Sequence, residues 1–148
     1  MISYSYHLMS EFENNEDRLI RAQRIGKIGD WTFAAETKLL SWSQATFDIY
    51  DMHSREGEPS YDEFISFCPS DDAKRLDAQI DNLIKHGKPY ELDFQIILPS
   101  GNVKYVHMVG MPLKYEANKI SAITGIIQDI TKRKSAEDKL TKSEERYR

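Results

Sequence analysis

The sequence has a single cysteine and no long apolar run. Because Cys68 is the only thiol among 148 residues, no disulfide can form within the chain, and a reducing, cytoplasmic setting is expected. No apolar stretch reaches the roughly 18–20 residues that a membrane-spanning helix needs. The first ten residues lack the basic-then-apolar order of a secretory signal. We therefore expect a cytoplasmic location and no membrane contact by this part of the chain.

The sequence also lacks an excess of positive charge. Its 24 acidic residues outnumber 20 lysines and arginines, which gives a net charge of −4 and argues against nucleic acid as a partner. Hydrophobic residues make up 40% of the chain and charged residues 30%. Such a composition is typical of a globular domain with a core of its own.

Motifs for catalysis and for metal binding are missing as well. The sequence contains no phosphate-binding loop, kinase signature or nucleophile elbow. Its four histidines, His7, His53, His86 and His107, have no i, i+4 spacing of the kind that binds zinc. We expect no enzyme activity from this chain, no metal and no evident cofactor. An unknown small molecule stays open as a ligand.

Helical patterns are clear in four places. Ser10 to Glu13 form a capping box that predicts a flanking helix to about Ile25. Ser43 and a second capping box at Ser60 to Glu63 each predict a short helix. The longest helix should begin near Ser70 to Asp72 and end at Gly87. Its apolar residues recur at i, i+4, i+7 and i+8, which places on one face Leu76, Ile80, Leu83 and Ile84.

Five segments alternate as strands. Residues 28–34 and 39–42 should pair as a hairpin, and residues 90–98, 103–113 and 120–128 should form three consecutive antiparallel strands. This order predicts an α+β domain with one five-stranded antiparallel sheet and helices on one face. Over Tyr105 to Met111 both faces of the strand are apolar, so we expect both to be covered.

Several short motifs stand in order along the chain. They are Ile28-Gly29-Asp30-Trp31, Leu40-Ser41-Trp42-Ser43, Pro69-Ser70-Asp71-Asp72, Ser100-Gly101 before Tyr105-Val106, and Asp129-Ile130-Thr131. Together they resemble the motifs of a PAS domain with its C-terminal PAC segment. The resemblance covers about residues 20–135 and implies a PAS fold from a bacterial sensory signalling protein.

The chain departs from the family's pattern at four places. The family's usual histidine before Pro69 is here Cys68, and its usual glycine after the first short helix is Asp51. Tyr105 stands where the family has tryptophan. The family's Glu-x-Arg is here Asp93-Phe94-Gln95, so we expect its usual ion pair to be weakened or lost.

The resemblance implies a division of the chain into three parts. Residues 1–26 would form a flanking helix, residues 27–130 a sensory domain, and residues 131–148 a linker helix to a downstream domain that this sequence does not include. The implied function is a sensory and dimerisation module of a histidine kinase or a diguanylate cyclase. The homodimer would form through the flanking helices, with an output domain in the same chain.

Two alternatives remain open at this stage. One is a ligand-free module for protein interaction. The other is a flavin- or haem-binding sensor of light or redox state. Cys68 lacks the flavin-reactive motif of the family and is expected to be a structural thiol, and His86 is expected to be a cationic cap at a helix end.

Strand alternation and helix faces together predict the lining of a ligand pocket. Gly110 and Gly125 should leave room for the ligand, although a filled core is the alternative. The predicted lining is Phe47, Tyr50, Phe64, Phe67, Leu76, Ile80, Phe94, Ile96, Val106, Met108, Gly110, Ile123, Gly125 and Ile127.

The signal would leave through a joint formed by Asp129, Ile130 and Thr131. We expect Asp129 to anchor the joint to the sheet and Thr131 to cap the exit helix with its hydroxyl. Beyond the joint, Ala136, Leu140 and Tyr147 are spaced nearly as a heptad seam, which predicts a parallel coiled coil in a dimer.

Overall fold

The computed structural model describes residues 27–146, which form one sheet and four α-helices. The helix predicted for residues 10–25 lies outside the described residues. In chain order the elements are β1 (Ile28–Ala34), β2 (Leu40–Trp42), α1 (Gln44–Ile49), a 3₁₀ turn (Ser54–Glu56), α2 (Tyr61–Ser66), α3 (Ser70–His86), β3 (Tyr90–Ile97), β4 (Val103–Glu116), β5 (Lys119–Asp129) and α4 (Thr131–Arg146).

The sheet is antiparallel and five-stranded, with strand order β2-β1-β5-β4-β3. β1 pairs with β2 so that Trp31 faces Trp42, and with β5 so that Trp31 faces Gly125. The first and last strands of the chain therefore lie side by side in the sheet. The predicted α+β class, the early hairpin and the three late strands are confirmed.

Helix ends follow the capping residues in the sequence. The side-chain oxygens of Ser43 and Ser60 accept hydrogen bonds from the backbone N–H groups of Thr46 and Glu63. α3 ends at Gly87, which adopts a left-handed φ of 69°. These boundaries confirm the predicted helices within the described residues.

The start of α3 differs from the prediction. Pro69 occupies the N-cap position and makes no side-chain cap. Asp72 instead accepts a hydrogen bond from the backbone N–H of Gln95, at 3.0 Å. An acidic residue expected to serve the helix end thus ties α3 to strand β3.

The inner face of the sheet carries the core. Val106 and Met108 on β4, and Ile123 and Ile127 on β5, are fully buried beneath α3 residues such as Leu76 and Leu83, as the alternation predicts. The hydrophobic effect of this layer holds the helices against the sheet.

The outer face of the sheet is less covered than expected. Within residues 27–146, Met111 on β4 is 44% exposed and Ile126 on β5 is 41% exposed. Tyr105, His107 and Val109 are half-buried. The prediction that both faces are covered from Tyr105 to Met111 is therefore not met by the described elements.

Candidate functional site

A small cavity lies between the helices and the inner face of the sheet, and all five strands contribute to its lining. Its volume of about 10 Å³ is enough for about one water molecule. Its lining is almost wholly apolar and aromatic: Trp31, Phe33, Leu40, Trp42, Thr46, Tyr50, Tyr61, Phe64, Ile80, Tyr90, Met108 and Ile123.

The cavity is displaced from the pocket that the sequence predicted. Tyr50, Phe64, Ile80, Met108 and Ile123 line it as expected. The other predicted residues do not line it: Phe47, Phe67, Leu76, Phe94, Ile96, Val106, Gly110, Gly125 and Ile127. Most of these are packed core side chains, which shows the predicted pocket to be largely filled.

The lining residues that sequence reasoning missed come mainly from the early hairpin and from aromatic positions. They are Trp31, Phe33, Leu40, Trp42, Thr46, Tyr61 and Tyr90. A signal for two of them was present. Trp31 and Phe33 alternate on β1 and share the inner face of the sheet.

The two glycines do not leave room for a ligand, contrary to expectation. A Cβ at Gly110 would lie 2.3 Å from the Tyr90 ring. A Cβ at Gly125 would lie 1.6 Å from the carbonyl oxygen of Val109 and 2.9 Å from the Trp31 ring. Because these two glycines have no side chains, neighbouring groups pack directly against them. The Tyr90 ring, the Val109 carbonyl and the Trp31 ring occupy the space that a ligand would need.

Tyr50 stands at the centre of the aromatic cluster around the cavity. Its ring stacks on Trp42 with 4.6 Å between centroids, and lies 6.1 Å from Phe64 and 5.6 Å from Phe67. Aromatic pairs at these distances contribute about 0.5–1.5 kcal/mol each beyond their burial. The position of Tyr50 is thus set by ring packing on several sides.

The hydroxyl of Tyr50 is buried without a hydrogen-bond partner in the described part of the chain. The residue is 1% exposed. Burial, with smaller contributions from Cys68 and Tyr90, raises the pKa of Tyr50 well above its usual value, so the phenol is neutral. An unpaired buried hydroxyl costs about 1–3 kcal/mol. Tyr50, a residue of the cavity lining, therefore carries a donor and an acceptor that are unpaired within the described chain.

The other polar groups nearby are paired or inert. The hydroxyl of Tyr90 donates to the sulfur of Met108 at 3.3 Å, and that of Tyr61 donates to Asp77 at 2.6 Å. Burial raises the pKa of Cys68 to about 12, so its thiol is protonated and unreactive near neutral pH. Cys68 is consistent with the structural thiol that was expected.

Neither flavin nor haem fits the cavity. A volume of about 10 Å³ is far below the roughly 300–1,000 Å³ of pockets that hold such molecules. His86 lies in the last turn of α3 and is absent from the cavity lining.

The joint after β5 holds the start of α4 against β4. The backbone N–H of Ile130 donates to the carbonyl of Tyr105 at 2.8 Å. The backbone N–H of Tyr105 donates to the hydroxyl oxygen of Thr131 at 3.1 Å. Both backbone groups of one β4 residue are thus taken by the first residues of the exit segment.

The expected functions of the two polar joint residues are exchanged. The carboxylate of Asp129 accepts from the N–H of Thr131 at 3.0 Å and from its hydroxyl at 2.5 Å, so Asp129 caps the helix start. Thr131 anchors the joint, because its hydroxyl oxygen accepts from Tyr105 on β4. The prediction that Asp129 anchors and Thr131 caps was wrong in this respect.

The exit helix α4 presents its predicted seam to solvent. Ala136 is exposed and Leu140 is 61% exposed, whereas Tyr147 lies outside the described residues. The coiled coil stays a prediction.

A polar network joins the end of α1 to the β3–β4 hairpin. The Asp51 carboxylate accepts from Asn102 at 2.8 Å, from Lys104 at 2.9 Å and from Ser100 at 3.2 Å. Partial burial alone would raise the pKa of Asp51. The hydrogen bonds from Asn102 and Lys104 outweigh this effect and hold that pKa below its usual value.

Asp93 on β3 contacts a histidine on the neighbouring strand β4. Its carboxylate lies 2.5 Å from one ring nitrogen of His107 on β4, and Glu91 lies 2.8 Å from the other. Asp93 therefore makes a cross-strand contact with His107, and the expected loss of the family's usual ion pair stays a prediction.

Among residues 27–146, no group of three or more His, Cys, Asp or Glu side chains is arranged to hold a metal ion. Over the same span, no helix is both long and apolar enough to cross a membrane.

Known proteins provide relatives for this fold. The chain is 20% identical over 130 residues to the probable diguanylate cyclase DgcE of Escherichia coli strain K12, covering 88% of this chain but only 12% of the relative. It thus spans about an eighth of the length of that curated relative.

Solved structures share the architecture. A sensory box histidine kinase/response regulator from Burkholderia thailandensis E264 matches 88% of this chain and 97% of its own, with a TM-score of 0.70 and 24% identity. The N-terminal domain of a diguanylate cyclase with PAS/PAC sensor from Marinobacter aquaeolei matches 72% and 97%, with a TM-score of 0.64 and 12% identity.

The sequence model of the family described as PAS fold matches residues 39–127, which is more than half of the chain. That span runs from the second strand of the early hairpin through the cavity-lining helices to the strand that leads into the joint. This chain therefore belongs to the PAS fold family.

Proposed function

We propose that residues 27–130 are a cytoplasmic sensory module of a bacterial histidine kinase or diguanylate cyclase. Residues 1–26 are a flanking helix, and residues 131–148 lead to a downstream output domain in the same chain. Support comes from the names of the relatives and from the small share of the curated relative that this chain spans. The module itself carries no catalytic function in this proposal.

The observation that carries the proposal is the joint. Strand β5 passes into α4 through Asp129, Ile130 and Thr131, and two of these residues are hydrogen-bonded to the backbone of Tyr105. A shift of β4 or β5 therefore moves the start of α4. Such a relay needs an input that binds two states of the domain with different affinity.

The input site is the aromatic cavity, which in this conformation admits about one water molecule. A larger ligand requires displacement of cavity-lining rings such as Tyr50 and Phe64. The lining lacks charged side chains and offers the Tyr50 hydroxyl, so an uncharged, mostly apolar molecule with a hydrogen-bonding group suits it.

The direct test changes Asp129 to Ala in the full-length protein and measures output with and without stimulus. We expect the basal output or the stimulus response to change, because the cap of α4 is lost. Asp138→Ala, at an exposed position within α4, is the matched control. Wild-type basal output together with a wild-type response in the Asp129 variant would overturn the relay.

The second part of the proposal is a homodimer formed through the flanking helices and the outer face. The carbonyl of Lys27 accepts from the N–H of Asp129 at 3.0 Å, so Lys27 lies beside the joint. The half-exposed apolar face with Met111 and Ile126 lies on the same sheet. A helix with an apolar stripe would gain free energy by covering it.

Sedimentation velocity tests the dimer. Residues 1–148 should sediment as a dimer, and the chain lacking residues 1–26 should be a monomer. Met111→Lys on the outer face should weaken the dimer. Leu39→Lys, at a position that is 66% exposed outside the strands, should not. A dimer that survives the deletion would contradict this part.

A ligand-free interaction module is the second candidate function, and the small volume of the cavity favours it. Mass spectrometry under native conditions separates the two. A mass that includes a bound small molecule supports the sensor. If the chain shows only its own mass at every concentration of added cell-derived metabolites, the interaction module is supported.

A further inference from the structure

The last turn of α1 ends in a conformation that favours glycine. Asp51 has a φ of 53°, its N–H donates to the carbonyl of Asp48, and the N–H of Met52 donates to that of Phe47 at 2.9 Å. This is the Schellman arrangement, in which the left-handed residue is usually glycine. An aspartate here carries a backbone cost that its side-chain contacts offset.

One of those contacts comes from a lysine on β4. The ammonium of Lys104 donates to the Asp51 carboxylate at 2.9 Å and to the carbonyl of Ile49 at 2.7 Å. Ile49 and Asp51 are the two neighbours of Tyr50 in the chain. A single side chain from β4 therefore contacts the backbone carbonyl before Tyr50 and the side-chain carboxylate after it.

Lys104 is also the residue before Tyr105 on β4. The N–H of Tyr105 donates to Thr131, and its carbonyl accepts from Ile130. Lys104, which is hydrogen-bonded to the neighbours of Tyr50, is thus adjacent in the chain to Tyr105, which is hydrogen-bonded to the start of α4. Lys104 and Asp51 are 53 residues apart in sequence, so this path exists only in the folded chain.

We propose that Lys104 is a positioning residue that couples movement of the Tyr50 segment to the first turn of α4. The proposal rests on the proposed function, since it supplies the route from the cavity to the joint. When Tyr50 moves, its neighbours Ile49 and Asp51 move with it. Their hydrogen bonds to Lys104 then displace that side chain and β4. The displacement of β4 then alters the hydrogen bonds of Tyr105 to Ile130 and Thr131.

Hydrogen exchange on the chain described here, without output domain or ligand, tests the coupling. Lys104→Met keeps the apolar stem and removes the charge. We expect faster exchange of the Met52 amide at one end, and about fivefold to tenfold faster exchange of the Ile130 and Lys134 amides at the other. Lys85→Met, which removes an exposed pair with Asp81 of 3.1 Å, should alter neither.

Coupling is reciprocal, which gives a second arm. Thr131→Val removes the hydroxyl at the joint and should speed exchange of the Met52 amide in the wild-type background. The same change should have no effect on Met52 in the Lys104→Met background. Should Lys104→Met unfold the chain, Asp51→Asn takes its place in both arms.

The outcomes separate this inference from the proposed function. Unchanged exchange at Ile130 and Lys134 in Lys104→Met, with Met52 loosened, would show a purely local contact and overturn the inference. Coupled exchange together with unaffected output in the Asp129 variant would retain the coupling and reject the relay.

Discussion

The aromatic cavity and the joint at the start of α4 are held by different forces. Around the cavity, Tyr50 is positioned by rings on several sides and its hydroxyl has no partner in the described chain. At the joint, Thr131 and Asp129 are held by short, directional hydrogen bonds. Apolar contacts are non-directional and tolerate small shifts, whereas hydrogen bonds weaken steeply with angle. In the proposed relay, the rings around the cavity can therefore shift gradually. The hydrogen bonds at the joint are instead either formed or broken.

The largest effect should come from opening the packed region. Phe64→Ala removes a buried ring from the cavity wall, and we expect a loss of about 3–5 kcal/mol in the free energy of unfolding. Urea denaturation measures it. Leu39→Ala, at an exposed position, should cost less than about 0.5 kcal/mol. A similar loss in both variants would mean that the cavity wall is not tightly packed.

Adding a methyl group to the sheet beneath the rings should cost nearly as much. In Gly125→Ala the new carbon meets the carbonyl oxygen of Val109 and the ring of Trp31, so the strands must separate. We expect a loss of about 3 kcal/mol in the free energy of unfolding. Gly57→Ala is the control. Nothing lies within 4 Å of its added carbon, and only its φ of 78° opposes the change, at about 1 kcal/mol.

The joint should respond more weakly but more selectively. Thr131→Val removes the acceptor for Tyr105 and the donor to Asp129, and should cost about 1–2 kcal/mol. Thr131→Ser keeps the hydroxyl and should recover most of that loss. Thermal unfolding of the two variants gives the difference. Equal stability in Ser and Val variants would show that the hydroxyl does not hold the joint.

The smallest effect concerns the network between the two regions. Since the folded chain lowers the pKa of Asp51, its ionised form is preferred in the native state. This contribution is present above the unfolded pKa of about 3.9 and is lost as the pH falls through the lower folded value. We expect less than about 1 kcal/mol.

Urea denaturation of wild type and Asp51→Asn at pH 7 and at about pH 3 measures this contribution. The stability gap between the two proteins should narrow on acidification. A gap that is equal at both pH values would show that the charge of Asp51 does not contribute.

Much of the fold could be predicted because its signals are local. The apolar spacing from Leu76 to Ile84 and the stop at Gly87 set α3 without knowledge of its neighbours. The cavity could not be placed in this way. Gly110 and Gly125 suggested open space, but rings from β3 and β1 fill it, and that packing depends on residues distant in sequence.

The joint was predicted only in part from the sequence. Asp129 and Thr131 were identified as its polar residues, but their functions were exchanged. Which of them caps and which anchors depends on the N–H of Tyr105, a residue distant in sequence that donates to the Thr131 hydroxyl. Likewise, Asp51 was visible as a departure from the family pattern, whereas its partner Lys104 was not.

By itself, the sequence determined the α+β class, the helix ends, the strand faces and the residues of the joint. These follow from periodicity and capping chemistry within a few residues. Only the tertiary structure decided where space remains in the core, and that Lys104 lies between Tyr50 and the start of α4. Packing and side-chain hydrogen bonds join residues far apart in the chain, and no local pattern records which of them meet.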